Sequence, residues 1–140
     1  MRAKLAVVVG LLCLGAEAGA VTPIACTGRT RQFGLDLPTS DREELRTYVL
    51  NDERRAILDY DERVGGYRTL CDRAEGCRAS YGPKAVVFSH GTNQSYQSLH
   101  LDRVTGRILH IENLKEFSTS LFEGQCAKTD MPRPDAKGQF

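Results

Sequence analysis

The sequence predicts an all-β domain, a small antiparallel barrel or sandwich stabilised by two disulfides. Three observations carry that prediction. Short runs rich in β-branched and aromatic residues recur along the chain, clusters of Gly, Asn, Asp and Pro separate them, and four cysteines remain once an export signal is set aside.

The first twenty of the 140 residues read as that signal. Arg2 and Lys4 give a positive start, residues 5–14 are apolar, and Ala18 and Ala20 are the small residues a signal peptidase requires, so cleavage is expected after Ala20. A buried N-terminal helix is the competing reading, disfavoured by the uniform apolar run and its flanks. Cys13 and Cys26 both lack the approach that lipidation prefers, which leaves a free, soluble product. Residues 21–130 are then one domain, and residues 131–140, with Pro132, Pro134 and Gly138, a flexible C-terminal tail.

The signal takes two of the 19 basic residues and one of the 18 acidic ones, so the mature chain is balanced at net zero. A chain without basic excess lacks the counter-ion term that drives phosphate-backbone binding, and nucleic acid is excluded as a partner. No mature apolar run reaches the ~18 residues of a transmembrane segment.

Cys26, Cys71, Cys77 and Cys126 are an even set in an exported chain, and the compartment beyond the membrane is oxidising. The preferred connectivity is Cys26 with Cys126 and Cys71 with Cys77. On the chain-entropy view, closing about 100 residues contributes roughly 4.7 kcal/mol and closing about seven roughly 2.4 kcal/mol. The long bridge is the main staple. Zinc is the other use of four thiols, but a C-x5-C pair with distant partners has no ribbon or finger spacing.

Along the domain, Phe33, Leu35 and Leu37 alternate in a strand at residues 31–37, and residues 39–44 read as a polar turn. Ser40 with Glu43 and Glu44 resembles a helix capping box, yet Asp52 and Glu53 break the helical stripe. Residues 47–50 and 56–60 therefore read as a hairpin about Asn51-Asp52. A short strand follows at residues 67–71, then a charged turn at 72–76 that a Cys71–Cys77 bridge would pin. Residues 85–88 suit a strand covered on both faces, and residues 90–95 a polar loop. The clearest local signal spans residues 97–112. With residues 103–106 as the loop, Gly106 takes positive φ, Asp102 caps the turn, and Asp102 pairs with Arg107 across the hairpin. Residues 121–127 form a last strand that delivers Cys126.

L-D-R-V-T-G-R-I at residues 101–108 and F-E-G-Q-C at residues 122–126, behind a signal and an early A-C-T-G at residues 25–28, resemble small secreted proteins of proteobacteria that share a D-R-x-T-G hairpin and a closing F-x-G-x-C strand. The match covers about a quarter of the mature chain. It implies a periplasmic setting and a β-rich fold, and carries over no catalytic residue.

Candidate chemistry is sparse. In the hairpin register, His100 faces Leu109 and His110 faces Leu99, so the two imidazoles point to opposite faces and share no metal ion. His90 remains as a binding candidate in its loop. Ser89-His90-Gly91 lacks the strained nucleophile elbow of a serine hydrolase. Asp59 and Asp61 share a strand face without the spacing of a calcium loop, and read as a solvated edge. Arginine greatly outnumbers lysine in the domain. A GC-rich genome gives that bias, and guanidinium forks also suit anions and interfaces, with Arg103 and Arg107 as the candidates beside His90. Asn93-Gln94-Ser95 would be a glycosylation acceptor only in a eukaryotic host.

The expected function is a noncatalytic periplasmic or secreted binding or inhibitory module. Its loops at 72–76 and 90–95 would face an envelope or secreted protein partner. The alternative is a small hydrolase or metal-assisted enzyme built on His90. The sequence assigns no catalytic residue, metal, cofactor or oligomeric state.

Overall fold

A computed structural model describes residues 21–34, 39–61, 63–114 and 118–130, so the expected signal and the tail lie outside the described residues. The strands are β1 Val21–Phe33, β2 Ser40–Asn51, β3 Ala56–Asp61, β4 Gly66–Asp72, β5 Ala79–Tyr81, β6 Ala85–Gly91, β7 Ser95–Asp102, β8 Arg107–Leu114 and β9 Ser118–Lys128. A 3-10 turn at Arg73–Glu75 joins β4 to β5.

All pair antiparallel in one sheet of order β4-β3-β2-β1-β9-β8-β7-β6-β5. The outermost strands, β4 and β5, are consecutive in the chain and tied by the Cys71–Cys77 disulfide. The sheet must therefore curl until its edges meet, which gives a nearly closed barrel. The Cys26–Cys126 disulfide sits where β1 and β9 pair the two cysteines directly. Both expected bridges are present, and bridges of this kind are consistent with an oxidising compartment.

Alternation fills the interior. Ile24 and Cys26 of β1, Tyr48 and Leu50 of β2, Ile57 of β3, Val86 and Phe88 of β6, Leu99 and Leu101 of β7, Ile108 of β8 and Phe122 of β9 form one core cluster. Burying a side chain the size of Phe88 or Phe122 contributes about 2–3 kcal/mol. Gly28 and Gly124 face each other between β1 and β9. A Cβ at Gly28 would stand 2.0 Å from the Glu123 carbonyl oxygen, so any side chain there would force the two central strands apart.

The β7–β8 hairpin has the expected register, with Leu99 opposite His110 and Leu101 opposite Ile108. Gly106 has φ +79°, and the Asp102 carboxylate accepts the Val104 and Thr105 amides at 2.8 and 3.0 Å. Those amides hold Asp102 below the usual carboxylate pKa range. Turned to them, Asp102 forms no ion pair with Arg107, contrary to the expectation of a charged pair across the hairpin.

Three other expectations are corrected, and one strand was not expected. The first strand begins at Val21, ahead of the expected start at Arg31, and residues 35–37 of that expected strand lie outside the described residues. Residues 40–44 extend β2 because β1 pairs with them as far as Ser40, so they are no turn. β6 is covered on one face only, with Val87 at 37% exposure between buried Val86 and Phe88, and it runs on through His90 to Gly91. Ala79–Tyr81 is a strand too short to leave a periodic signal, held by β6.

Candidate functional site

The same alternation that lines one end of the barrel with aliphatic side chains lines the other with charge. On β2 the inward series runs Leu50, Tyr48, Arg46, Glu44, and on β8 it runs Ile108, His110, Glu112. β3 adds Asp59, bound across the strand pair by Arg68 of β4. These residues meet at the mouth of the barrel.

His110 is the centre. It is 1% exposed, and Nδ1 lies 2.9 Å from the Tyr48 hydroxyl and 3.4 Å from Nη1 of Arg46. Nε2 lies 3.4 Å from Oε1 of Glu112 and 3.2 Å from the Gln97 amide. Arginine only donates and an ionised carboxylate only accepts, so Nδ1 is the acceptor and Nε2 carries the proton. The Gln97 atom that faces this nitrogen is its side-chain Nε2, and exchanging the two ends of that amide would turn an acceptor to the proton. Burial, with Arg46 and Arg68 nearby, pushes the His110 pKa from 6.5 down to about 3, so the ring is neutral at pH 7. Burial likewise raises the Tyr48 pKa and keeps the phenol protonated as a donor to Nδ1.

Around this ring the charges hold one another. Arg46 donates from Nε to Glu44 at 3.1 Å and from Nη2 to the Thr30 hydroxyl at 3.3 Å, and it lies 4.6 Å from the centre of the Phe122 ring. Thr30 also donates to Glu44. Burial alone would raise the Glu44 pKa, but Thr30 and Arg46 outweigh it and hold the carboxyl below its usual value. Arg68 grips Asp59 with two hydrogen bonds, at 3.1 and 2.7 Å, and reaches Glu112 at 3.7 Å. Those bonds raise the Arg68 pKa further.

Beside this network the barrel wall parts. β2 and β3 pair only from Tyr48↔Asp59 to Asn51↔Ala56. Beyond that point β2 continues to Ser40 with β1 alone, while β3 continues to Asp61 with β4 alone. A cavity of about 880 Å³ opens between them, lined by Arg42, Glu44 and Arg46 of β2, by Asp59, Asp61 and Arg68, and by Glu112. The β2 edge over residues 40–47 has no strand partner on this side among the described residues.

The residues singled out from the sequence are not brought together. His90 lies exposed near the 92–94 turn, opposite Gln97, and has no carboxylate partner among the described residues. Arg103 lies at the other end of the barrel. It donates from Nη2 to both Asp52 oxygens at 3.1 Å and from Nη1 to the Gly82 carbonyl at 3.0 Å, and lies 5.6 Å from the centre of the Tyr81 ring, so it laces three turns together. Arg107 is exposed opposite Gln125. Asp59, read as part of a solvated edge, is instead an inward partner of Arg68, because β4 brings a guanidinium to it. Sequence reasoning missed Glu44, Arg46, Tyr48, Gln97, His110 and Glu112 as a group. The signal was the alternate spacing of Glu44, Arg46 and Tyr48 in register with apolar Leu50, and of His110 and Glu112 with Ile108. Among the described residues no group of three or more His, Cys, Asp or Glu is placed to hold a metal ion.

No family model, curated protein or solved structure matches this chain.

Proposed function

We propose that this protein is an exported, noncatalytic binding module of the periplasm or secreted space, and that it takes an extended segment of an envelope or secreted partner protein into the cleft between β2 and β3. One observation carries the reading: the β2 edge over residues 40–47 lies unpaired against a charge-lined cavity of about 880 Å³. An open strand edge presents alternating amides and carbonyls that an extended peptide satisfies by adding a strand. Charges at Arg42, Glu44 and Arg46 keep that edge from pairing with any apolar strand, so a partner has to bring complementary charges of its own.

Binding is favoured over catalysis by the state of His110. A ring with a pKa near 3, whose nitrogens are both engaged, exchanges no proton near neutral pH. A charged barrel interior costs stability that an apolar filling would supply, and such a departure marks a working surface. The alternative of a hydrolase or metal-assisted enzyme on His90 needs an acidic neighbour for that imidazole, and among the described residues it has none.

The test is selection of displayed random heptapeptides on the disulfide-bonded protein, followed by amide hydrogen exchange with the best binder. Protection concentrated on residues 40–47, lost together with affinity in Glu44→Arg, supports the proposal. Binders that protect only other segments, or a selection that enriches nothing, overturn it.

A further inference from the structure

We infer that the opposite end of the barrel carries a binding site for a doubly charged tetrahedral oxyanion, a phosphate or sulfate group, formed by Arg55, Arg73 and Arg78. The site is independent of the β2 cleft and of the reading placed on it.

A cavity of about 530 Å³ is lined by Arg55, Arg73, Gly76, Cys77, Arg78 and Ala79, three guanidinium-bearing residues with no carboxylate among them. Two of the nearby acids are committed elsewhere. Asp52 holds Arg103, and Asp72, with a side chain only 7% exposed, holds Arg54 at 2.8 Å and caps the 3-10 turn through the Ala74 amide at 2.8 Å. Glu53 and Glu75 are exposed and form no ion pair among the described residues. Three positive charges therefore gather around one hollow whose lining holds no carboxylate, and among the described residues none of the three forms an ion pair.

Two backbone features fix the arrangement. The Cys71–Cys77 bridge holds the loop that carries Arg73 and Arg78, and Cys77 itself forms part of the cavity wall. Arg55 has φ +51°, the left-handed region that favours glycine, and among the described residues it is the only non-glycine there. A strained arginine in a tight turn, beside two arginines that form no ion pair among the described residues, is the pattern of a side chain kept for its contact with a ligand. The ligand class follows from the lining. Guanidinium forks match the oxygens of a tetrahedral oxyanion in pairs, and several forks together neutralise a double charge that a carboxylate does not carry.

The experiment is a titration of the disulfide-bonded, ¹⁵N-labelled protein with inorganic phosphate, and separately with sulfate, at constant ionic strength, with acetate as the singly charged control. Saturable amide shifts clustered at Arg55, Gly76, Cys77 and Arg78 with the dianions, and weaker ones with acetate, are expected. The relative affinities of phosphate and sulfate tell which group the site prefers. Replacing Arg73 or Arg78 by Gln should weaken binding about tenfold each, the equivalent of one charge-assisted contact. Arg55→Gly should weaken it similarly while raising the melting temperature, because glycine relieves the left-handed backbone. Shifts that are non-saturable or scattered over the surface, or an affinity unchanged in the Arg55→Gly, Arg73→Gln, Arg78→Gln triple variant, overturn the inference.

Discussion

At the mouth of the barrel, Arg46 and Arg68 each lie against carboxylates, with Glu44, Asp59 and Glu112 all within 4 Å of a guanidinium nitrogen. At the turn end, Arg54 and Arg103 are matched in the same way with Asp72 and Asp52, yet Arg55, Arg73 and Arg78 are left around a hollow without a carboxylate. The same residue type does two jobs. Where guanidinium groups face inward they must be neutralised, since an uncompensated charge out of water costs several kcal/mol. Where they face solvent they can stay unmatched, and their charge remains available to something that arrives from outside.

Three experiments sharpen that contrast. The largest effect is expected at His110. Its folded pKa of about 3 lies below the usual 6.5, so from pH 6.5 downward the unfolded chain binds a proton that the folded chain refuses. Stability is fully present above pH 6.5 and falls towards pH 3 by up to about 1.4 kcal/mol per pH unit. Glu44, with a depressed pKa, adds a loss only below its usual 4.5. Urea unfolding of the wild type and His110→Gln between pH 7 and 4.5 should therefore show a steeper acid decline in the wild type. Parallel curves would mean that the ring is protonated inside the barrel.

Next in size is Arg46→Ala. It strips Glu44 and Thr30 of a partner and uncovers Phe122, and a loss of about 2–3 kcal/mol in chemical denaturation is expected. Arg46→Lys should restore only part, because an ammonium does not span Glu44, Thr30 and His110 together. The smallest effect belongs to Arg73→Ala and Arg78→Ala, which should each stay within about 0.5 kcal/mol of the wild type. A cost like that of Arg46 would show that these arginines hold the fold together and erase the difference between the two ends.

How much could be read in advance divides along the same line. The β7–β8 hairpin was legible to the residue, because Asp102 and Gly106 settle its turn by local chemistry, and from the turn the register follows. That four cysteines form two disulfides was legible from their even count, whereas the pairing was a preference among three connectivities, and it is the one the fold adopts. The β2–β3 hairpin was legible from the Asn51-Asp52 turn and the β-formers around it. The charged stretch of residues 40–46 was not, because alternating Arg and Glu looks the same on a solvated turn as on a strand facing a wet cavity. Only the pairing of β1 with β2 as far as Ser40 decides between them. His110 was placed correctly opposite Leu99, but that its side of the hairpin is the inside depends on strands far away in sequence. The unpaired arginines were visible only as an excess, since the cavity they share is made by two turns that meet when β4 and β5 close the barrel.

The adjacency of the first and last strands has a practical reach. The Thr129 amide donates to the Pro23 carbonyl, so the described strands start and finish at one spot, at the Asn51 end of β2 and not at its residues 40–47. A permuted gene with old ends spliced through a short linker, and new ones opened at the exposed 92–94 bend, should yield the same barrel.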